Sequence, residues 1–378
     1  MEINFRNVIE NDFEEEIYKD YEKKIINYLR EYGKTTFWEI IRNIGGSERR
    51  IIRLLDEMVR NNEISYSNTC FCLPNEEKFI QNCTCDKCRG KRVNIDMYDK
   101  KVNTLKEIWK NKPKATFYFD QRPVTMETTI RRVAYLMSNG DIKNKKIVML
   151  GDDDLTSVAL ALLKLNCEVV ALDADERLIN YINETAKKYN LKLKGIVYNA
   201  LDDTSKELKN KFDVLMTDPT PEKIPFTLFM NRAIELTKGE ESIIYTSIYS
   251  SAMKKTLDLQ RIITYMNLYI TDIIPRFTEY QSIIELYSER DKELFKKYGV
   301  TFDKNSICFT ESLFRMEVTN ETKKLKIKYK VSDIFGKATK RTIKDSKNDV
   351  QAESKDAEYL KKVQDNLSEN SDKFYESE

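Results

Sequence analysis

The chain of 378 residues contains no histidine. That excludes a catalytic His dyad or triad and every His-ligated metal site, so general base work falls to Asp, Glu, Tyr, Lys or Cys. No apolar run approaches the length of a membrane span. The first residues, MEINFRNVIENDFEEE, are acidic and lack the apolar stretch of a secretory signal. A cytoplasmic protein with no membrane partner is expected. Formal net charge is only +2, which argues against a strongly basic nucleic-acid binder. The 7 cysteines are odd in number and mostly clustered, which does not suit a disulfide framework. Apolar residues make up 41%, enough for real cores, and the length calls for two or three domains.

The stretch KIVMLGDDDLTSVALALLKLNCEVVALDAD, residues 146–175, organises the rest. An apolar run at 147–150, a turn, a helical stretch at 155–165 and a second apolar run at 169–172 read as one βαβ unit. Ligands bind beyond the carboxyl ends of such strands, where Gly151, Asp152, Asp153, Asp154 and Asp173 are placed. The turn lacks the closely spaced glycines of a phosphate cradle. One glycine followed by three carboxylates repels phosphate and attracts an amine. Asp173 falls 22 residues after Gly151, the distance at which an acidic side chain takes ribose hydroxyls. A cationic nucleoside is the expected ligand. The plainer alternative is that Asp153 and Asp154 cap the helix N-terminus.

Before this stretch, helical periodicity covers residues 17–32, 36–44 and 48–60, followed by short β-like runs at 63–67 and 70–73. Three helices and a hairpin spell a winged helix. Its third helix carries Arg49, Arg50, Arg53 and Arg60, suited to phosphates, but Glu48, Asp56 and Glu57 dilute the charge. Nucleic acid is not the expected partner. A docking or dimer module is the alternative, and a homodimer is expected. Cys70, Cys72, Cys83, Cys85 and Cys88 follow within residues 70–88. Four of them holding a structural metal is one reading; inert thiols in a linker is the other.

Residues 101–110 and 125–137 read as helices, with a β-like run at 115–119 between them. After Asp173 come a helix at 176–189, a strand at 195–198 ending near Asn199, Asp202 and Asp203, and a strand at 212–216. The last ends in Thr217-Asp218-Pro219-Thr220-Pro221, similar to the D-P-P turn of amino methyltransferases, with Asp218 on the acceptor side; a rigid Asx-type turn is the alternative. A helix at 226–236, a strand at 242–248 and a helix at 253–268 follow. β-like runs at 269–274 and 282–286 then flank residues 275–280. Two further β-like runs span 306–309 and 312–317. From residue 337 the chain is polar and expected to be disordered.

The strings VTMETTIRRVAYL (124–136), GDDDLTSVALAL (151–162), LDADERLINYI (172–182), FDVLMTDPTPE (212–222), ITDIIPRFTEY (270–280) and SLFRME (312–317) together resemble the branched-chain polyamine synthases, an aminopropyltransferase family. The resemblance implies an α/β fold: a Rossmann-like, methyltransferase-type sheet with an N-terminal winged helix. The expected division is 1–80 winged helix, 81–112 cysteine-containing linker, 113–318 catalytic domain and 319–378 flexible extension. It implies decarboxylated S-adenosylmethionine as co-substrate and spermidine as acceptor. Two aminopropyl groups go to N4, giving N4-bis(aminopropyl)spermidine and methylthioadenosine. No further cofactor is required for that chemistry.

On this resemblance Gly151, Asp153, Asp154, Asp173 and Asp202 bind the donor, with Asp202 on adenine. Asp218, Pro219, Glu279 and Tyr280 bind the acceptor, and Asp218 and Asp152 are the catalytic candidates. Thr220 departs from the family's second proline. Two alternatives stand beside it: an S-adenosylmethionine-dependent methyltransferase acting on nucleic acid, and a polyamine-sensing winged-helix regulator.

Overall fold

The computed structural model describes residues 5–74, 85, 87–88, 90–116, 119, 121–249, 253–282, 287–303 and 306–327, with backbone only for 5–16 and 253–254. The chain begins with α1 (Phe5–Tyr32), β1 (Thr35–Thr36), α2 (Phe37–Ile44), α3 (Glu48–Arg60), β2 (Ser65–Ser67) and β3 (Cys70–Cys72). A reciprocal cap starts α2: the Thr36 hydroxyl accepts from the Glu39 amide, and Glu39 accepts from the Thr36 amide. The strands form a small antiparallel sheet in the order β1-β3-β2.

Next come α4 (Asp99–Asn111), α5 (Met126–Ser138), β4 (Lys146–Leu150), α6 (Thr156–Leu162), β5 (Glu168–Asp173), α7 (Glu176–Tyr189) and β6 (Leu193–Val197). They are followed by β7 (Val214–Thr217), α8 (Lys223–Leu236), β8 (Ile243–Tyr249), α9 (Met253–Tyr265), β9 (Tyr269–Gln281), α10 (Glu289–Lys297) and β10 (Ile307–Glu317). The main sheet has the order β6-β5-β4-β7-β8-β10-β9. Its first five strands pair in parallel, and β10 runs antiparallel between β8 and β9. Helices cover both faces, which is why the strands read as unbroken apolar runs. Ile147 and Met149 enter the core under α5, α6 and α7, while Val148 and Leu150 enter the core under α8 and α9. Strand order reverses between β4 and β7, and a binding crevice opens beyond the strand ends at such a point.

The N-terminal unit is fastened to the sheet. Tyr287, Phe295, Tyr298 and Ile307 complete the core made by α1, α2 and α3. Arg53 donates twice to Asp291, at 2.6 and 2.8 Å. Asp56 accepts from Lys297 at 2.6 Å and from the Tyr298 hydroxyl at 2.9 Å.

The structure differs from the sequence reading in several places; the runs expected at 306–309 and 312–317 are one strand, β10. The described residues of 115–119 form no strand. Residues 269–281 are one strand rather than a run and a turn. Pro275 and the left-handed Arg276 (φ +55°) form a bulge opposite Glu311 and Leu313, on the edge of the sheet where proline costs no ladder bond; residues 283–286 lie outside the described residues. Helix α10 was not anticipated. Residues 319–327 are not loose: Leu325 and Ile327 pack on the second core, and Lys324 pairs with Glu235 at 2.5 Å. Residues 328–378 lie outside the described residues. Among the described residues no helix is long and apolar enough to cross a membrane.

Candidate active site

A cavity of about 300 Å³ lies at the reversal point, within the size range of small-molecule sites. Gly151, Asp153 and Asp154 reach it from β4, Asp173 and Ala174 from β5, residues 198–201 from beyond β6, and Asp218 to Pro221 from β7. Tyr280 of β9 and Phe309 and Glu311 of β10 close the far wall. Gly151 has φ +77°, which lets the chain turn out of the strand where a side chain would be strained.

The three carboxylates after Gly151 have different fates. Asp152 turns inward and accepts from the Ser157 amide at 3.1 Å and hydroxyl at 2.5 Å, tying down the start of α6. Burial pushes its carboxyl up to about 7; the Ser157 bonds oppose this and the charges of Asp154 and Asp173 add to it. Asp152 does not line the cavity, whereas the expectation has it facing the reactants. Asp153 lines the cavity, and its buried Oδ2 accepts no hydrogen bond among the described residues. Its carboxyl is pushed well above the usual range by burial and then by Asp154. Asp154 accepts from the Val124 amide at 3.1 Å and from Arg132 Nη1 at 2.7 Å.

Asp173 accepts from the amides of Asp152 and Asp175, each at 2.9 Å, which fixes both oxygens at the rim. Burial raises it to about 6 against those two bonds. Asp218 accepts through Oδ2 from Arg132 Nη2 and from the Tyr280 hydroxyl, the latter at 2.8 Å. Its Oδ1 is buried and accepts no hydrogen bond among the described residues. Burial raises its carboxyl, Arg132 opposes, and Asp154 adds to the rise. Tyr280 also lies 3.0 Å from Glu311 Oε2 and stacks on Phe309 with centroids 4.3 Å apart.

Two further acceptor and donor candidates sit elsewhere. Glu279 is buried away from the cavity in an ion cluster with Lys91 and Arg131, the latter at 3.6 Å. Burial works against its charge, but Lys91 and Arg131 hold the carboxyl below its ordinary value. Neighbours in a strand face opposite ways, so Tyr280 reaches the cavity and Glu279 cannot. Asp202 is exposed and does not line the cavity, although Ala200 and Leu201 do.

The metal expectation finds no support among the described residues. Cys70 and Cys72 lie on β3, with Cys72 Sγ 3.2 Å from Ser65 Oγ. Cys83 lies outside the described residues. Among the described residues, Cys85 and Cys88 included, no group of three or more Cys, Asp or Glu side chains is arranged to hold a metal.

Sequence reasoning overlooked Arg132 and Glu311. Each carried a signal: an arginine on the buried face of an apolar helix, and a glutamate inside an apolar strand. Both violate the usual burial rule unless they are paired or functional. Together with them, the site presents five carboxyl groups to the cavity (Asp153, Asp154, Asp173, Asp218 and Glu311), with Arg122 lining it and Arg132 behind the wall. Such a site favours a cation.

Comparison with known proteins agrees with this chemistry. The family model of the branched-chain polyamine synthase A C-terminal domain matches residues 100–355. The chain is 32% identical over 332 residues to the N(4)-bis(aminopropyl)spermidine synthase of Methanocaldococcus jannaschii, covering 83% of this chain and 92% of that one. It is 36% identical over 201 residues to the enzyme of the same name from Thermococcus kodakarensis, covering 52% and 57%. Its fold is similar to the crystal structure of the branched-chain polyamine synthase from Thermus thermophilus in complex with N4-aminopropylspermidine and 5′-methylthioadenosine. That match has a TM-score of 0.63 and 24% identity, and covers 82% of this chain and 90% of that one.

Proposed function

The chain belongs to the branched-chain polyamine synthase family, and from that premise we propose that it transfers aminopropyl groups from decarboxylated S-adenosylmethionine to N4 of spermidine, twice. The product is N4-bis(aminopropyl)spermidine, with methylthioadenosine released at each transfer. The observation that carries this reading is the buried, unpartnered Oδ1 of Asp218 in a cavity walled by carboxyl groups. A buried acceptor atom without a donor is costly unless a ligand supplies one.

Tyr198, Ala200, Leu201, Leu228 and Phe229 form the slot for the adenine ring, and Asp173 takes the ribose hydroxyls. Asp153 and Asp154 meet the donor's ammonium group. Intact S-adenosylmethionine would bring a carboxylate to the same wall and be repelled. Spermidine lies along Phe309, Tyr280 and Glu311 with N4 at Asp218. Pro219 and Pro221 stiffen the turn that carries Asp218.

The neutral N4 lone pair forms the new N–C bond as the C–S bond breaks. The bonding pair passes to sulfur, and the sulfonium becomes a neutral thioether. The first transfer leaves N4 as a tertiary ammonium, whose proton passes to Asp218 Oδ1 before the second attack. The second transfer leaves a quaternary nitrogen with no proton to lose. Alignment and a neutral nucleophile are the main demands.

We read residues 1–80 as a winged helix, supported by the order α1-β1-α2-α3-β2-β3; residues 81–112 as the linker; and residues 113–318 as a Rossmann-like catalytic domain. Arg53 is held by Asp291 and Arg60 by Asp56, so α3 serves as a docking element rather than a nucleic-acid reader. A homodimer is part of this proposal, and sedimentation of the purified protein tests it. The function is tested by mass spectrometry after incubation with spermidine and decarboxylated donor. Gains of one and then two aminopropyl units, with fragmentation placing both on N4, support it; no gain refutes it.

A further inference from the structure

The Tyr280 hydroxyl lies 2.8 Å from Asp218 Oδ2 and 3.0 Å from Glu311 Oε2. A phenol carries one proton to donate. If both carboxyl groups were ionised, one of these contacts would hold two oxygens together with no hydrogen between them. Glu311 is buried, Asp218 is largely so, and both line the same cavity, so that contact would be repulsive in a medium that screens poorly. One extra proton turns both contacts into hydrogen bonds.

The surroundings decide where that proton sits. Asp218 receives a direct hydrogen bond from the guanidinium of Arg132, which favours its anion. Glu311 makes no ion pair among the described residues; the Tyr280 hydroxyl lies 3.0 Å from it, and the nearby charge of Asp218 disfavours its anion. The titratable and charged groups around Glu311 are Asp218 beyond β7, Tyr280 on β9, Arg132 on α5, Asp154 after β4, Arg122 ahead of α5 and Tyr249, its cross-strand partner on β8.

We propose that Glu311 works as a neutral carboxylic acid which, through Tyr280, holds Asp218 as the ionised base. Glu311 donates to the Tyr280 oxygen, and Tyr280 donates to Asp218 Oδ2. Arg132 Nη2 donates to that same oxygen. Both fixed donors are thereby committed to Oδ2, and Oδ1 is left to receive the proton of N4. Glu311 forms and breaks no bond to the reactants; it is a positioning residue. Burial, and then the charge of Asp218, hold the Glu311 carboxyl well above its ordinary range. This inference rests on the aminopropyltransferase reading above.

The test is the pH dependence of kcat for the wild type, Glu311→Gln, Glu311→Leu, Tyr280→Phe and the double variant Tyr280→Phe/Glu311→Leu, with melting curves for each. Glu311→Leu is expected to lower kcat about 100-fold, the scale of a misplaced reacting group. Glu311→Gln keeps a neutral donor and is expected to recover all but about fivefold of that loss. The wild-type rate falls on the alkaline side as Glu311 gives up its proton, and Glu311→Gln lacks that fall. In the Tyr280→Phe background Glu311→Leu adds less than about twofold, because the bridge is already gone.

A Glu311→Gln enzyme as slow as Glu311→Leu, with a raised acceptor KM, overturns the proposal and makes Glu311 an ionised anchor for an ammonium group. An alkaline limb unchanged in Glu311→Gln also overturns it. If Glu311→Leu does not fold, the Glu311→Gln profile and the wild-type to Tyr280→Phe comparison decide. A wild type that transfers no aminopropyl group would defeat the functional reading itself; an active wild type with an inactive Glu311→Gln would defeat only this inference.

Discussion

Asp154 and Asp218, carried on the ends of different strands, share one guanidinium: Arg132 donates from Nη1 to Asp154 Oδ2 at 2.7 Å and from Nη2 to Asp218 Oδ2. The acidic turn after β4 and the proline-flanked turn after β7 are thereby locked together from behind the cavity wall. On the proposed function this holds the donor-facing and acceptor-facing carboxyl groups at a fixed separation, which an in-line displacement requires.

Removing the base isolates its contribution. Asp218→Asn keeps the size and loses the charge that takes up the N4 proton. The expected loss in kcat is about 10²- to 10⁴-fold, the usual range for a positioned proton acceptor. Donor KM changes little, and stopped-time product assays with a melting curve check both. A rate within a few-fold of wild type would remove Asp218 from the mechanism.

Arg132 is buried with two carboxylates against it. Arg132→Met leaves those carboxylates without their cation, which typically costs about 3–5 kcal/mol. Arg132→Lys retains the charge but not the fork, so it should recover part of the stability and less of the rate. Urea unfolding measures the first effect. A stability loss below about 1 kcal/mol in Arg132→Met would contradict the clamp.

Asp153 supplies the other unpartnered oxygen of the wall. Asp153→Asn is expected to raise the KM for decarboxylated donor about 10- to 100-fold, the scale of one charge-assisted hydrogen bond. It should also narrow the preference over intact S-adenosylmethionine, and inhibition by intact donor measures that narrowing. Unchanged selectivity would place the ammonium elsewhere.

Glu48, buried at the start of α3, accepts from the Tyr287 hydroxyl at 2.5 Å. Burial raises its pKa from 4.5 to about 7; the Tyr287 bond opposes the shift. A carboxyl raised on folding contributes its stability fully below the unfolded pKa and loses it as pH rises through the folded one. Wild-type stability should therefore fall between about pH 4.5 and 7 through this group. Glu48→Gln should flatten that part of the profile, a difference of about 1–3 kcal/mol at pH 8. Denaturant midpoints across the pH range check it; parallel profiles would contradict it.

Legibility followed the physics of each segment. Ile147 to Leu150 and the apolar faces of α5 and α7 carry clean patterns, and the elements lie where those patterns put them. Three adjacent aspartates do not all face the cavity: Asp152 turns inward because it accepts from Ser157, a residue with no visible sequence signal, in the first turn of α6. Glu279 was misplaced because Pro275 suggested a turn. The bulge absorbs the proline, the strand continues, and alternation then sends Glu279 away from Tyr280. Arg132 and Glu311 come from α5 and β10, distant in sequence from the acidic turn, and only the packing of the sheet brings them to Asp218. Helix α10 is rich in Glu and Lys, and its one buried apolar residue, Phe295, is covered by Phe37, Tyr287 and Phe302.

The most direct measurement is a side-by-side reaction with spermidine and either decarboxylated or intact S-adenosylmethionine at equal concentration, read by mass spectrometry. The account predicts successive gains of one and two aminopropyl units with the decarboxylated donor alone. Methyl transfer from the intact donor, without aminopropyl gain from the other, would contradict it.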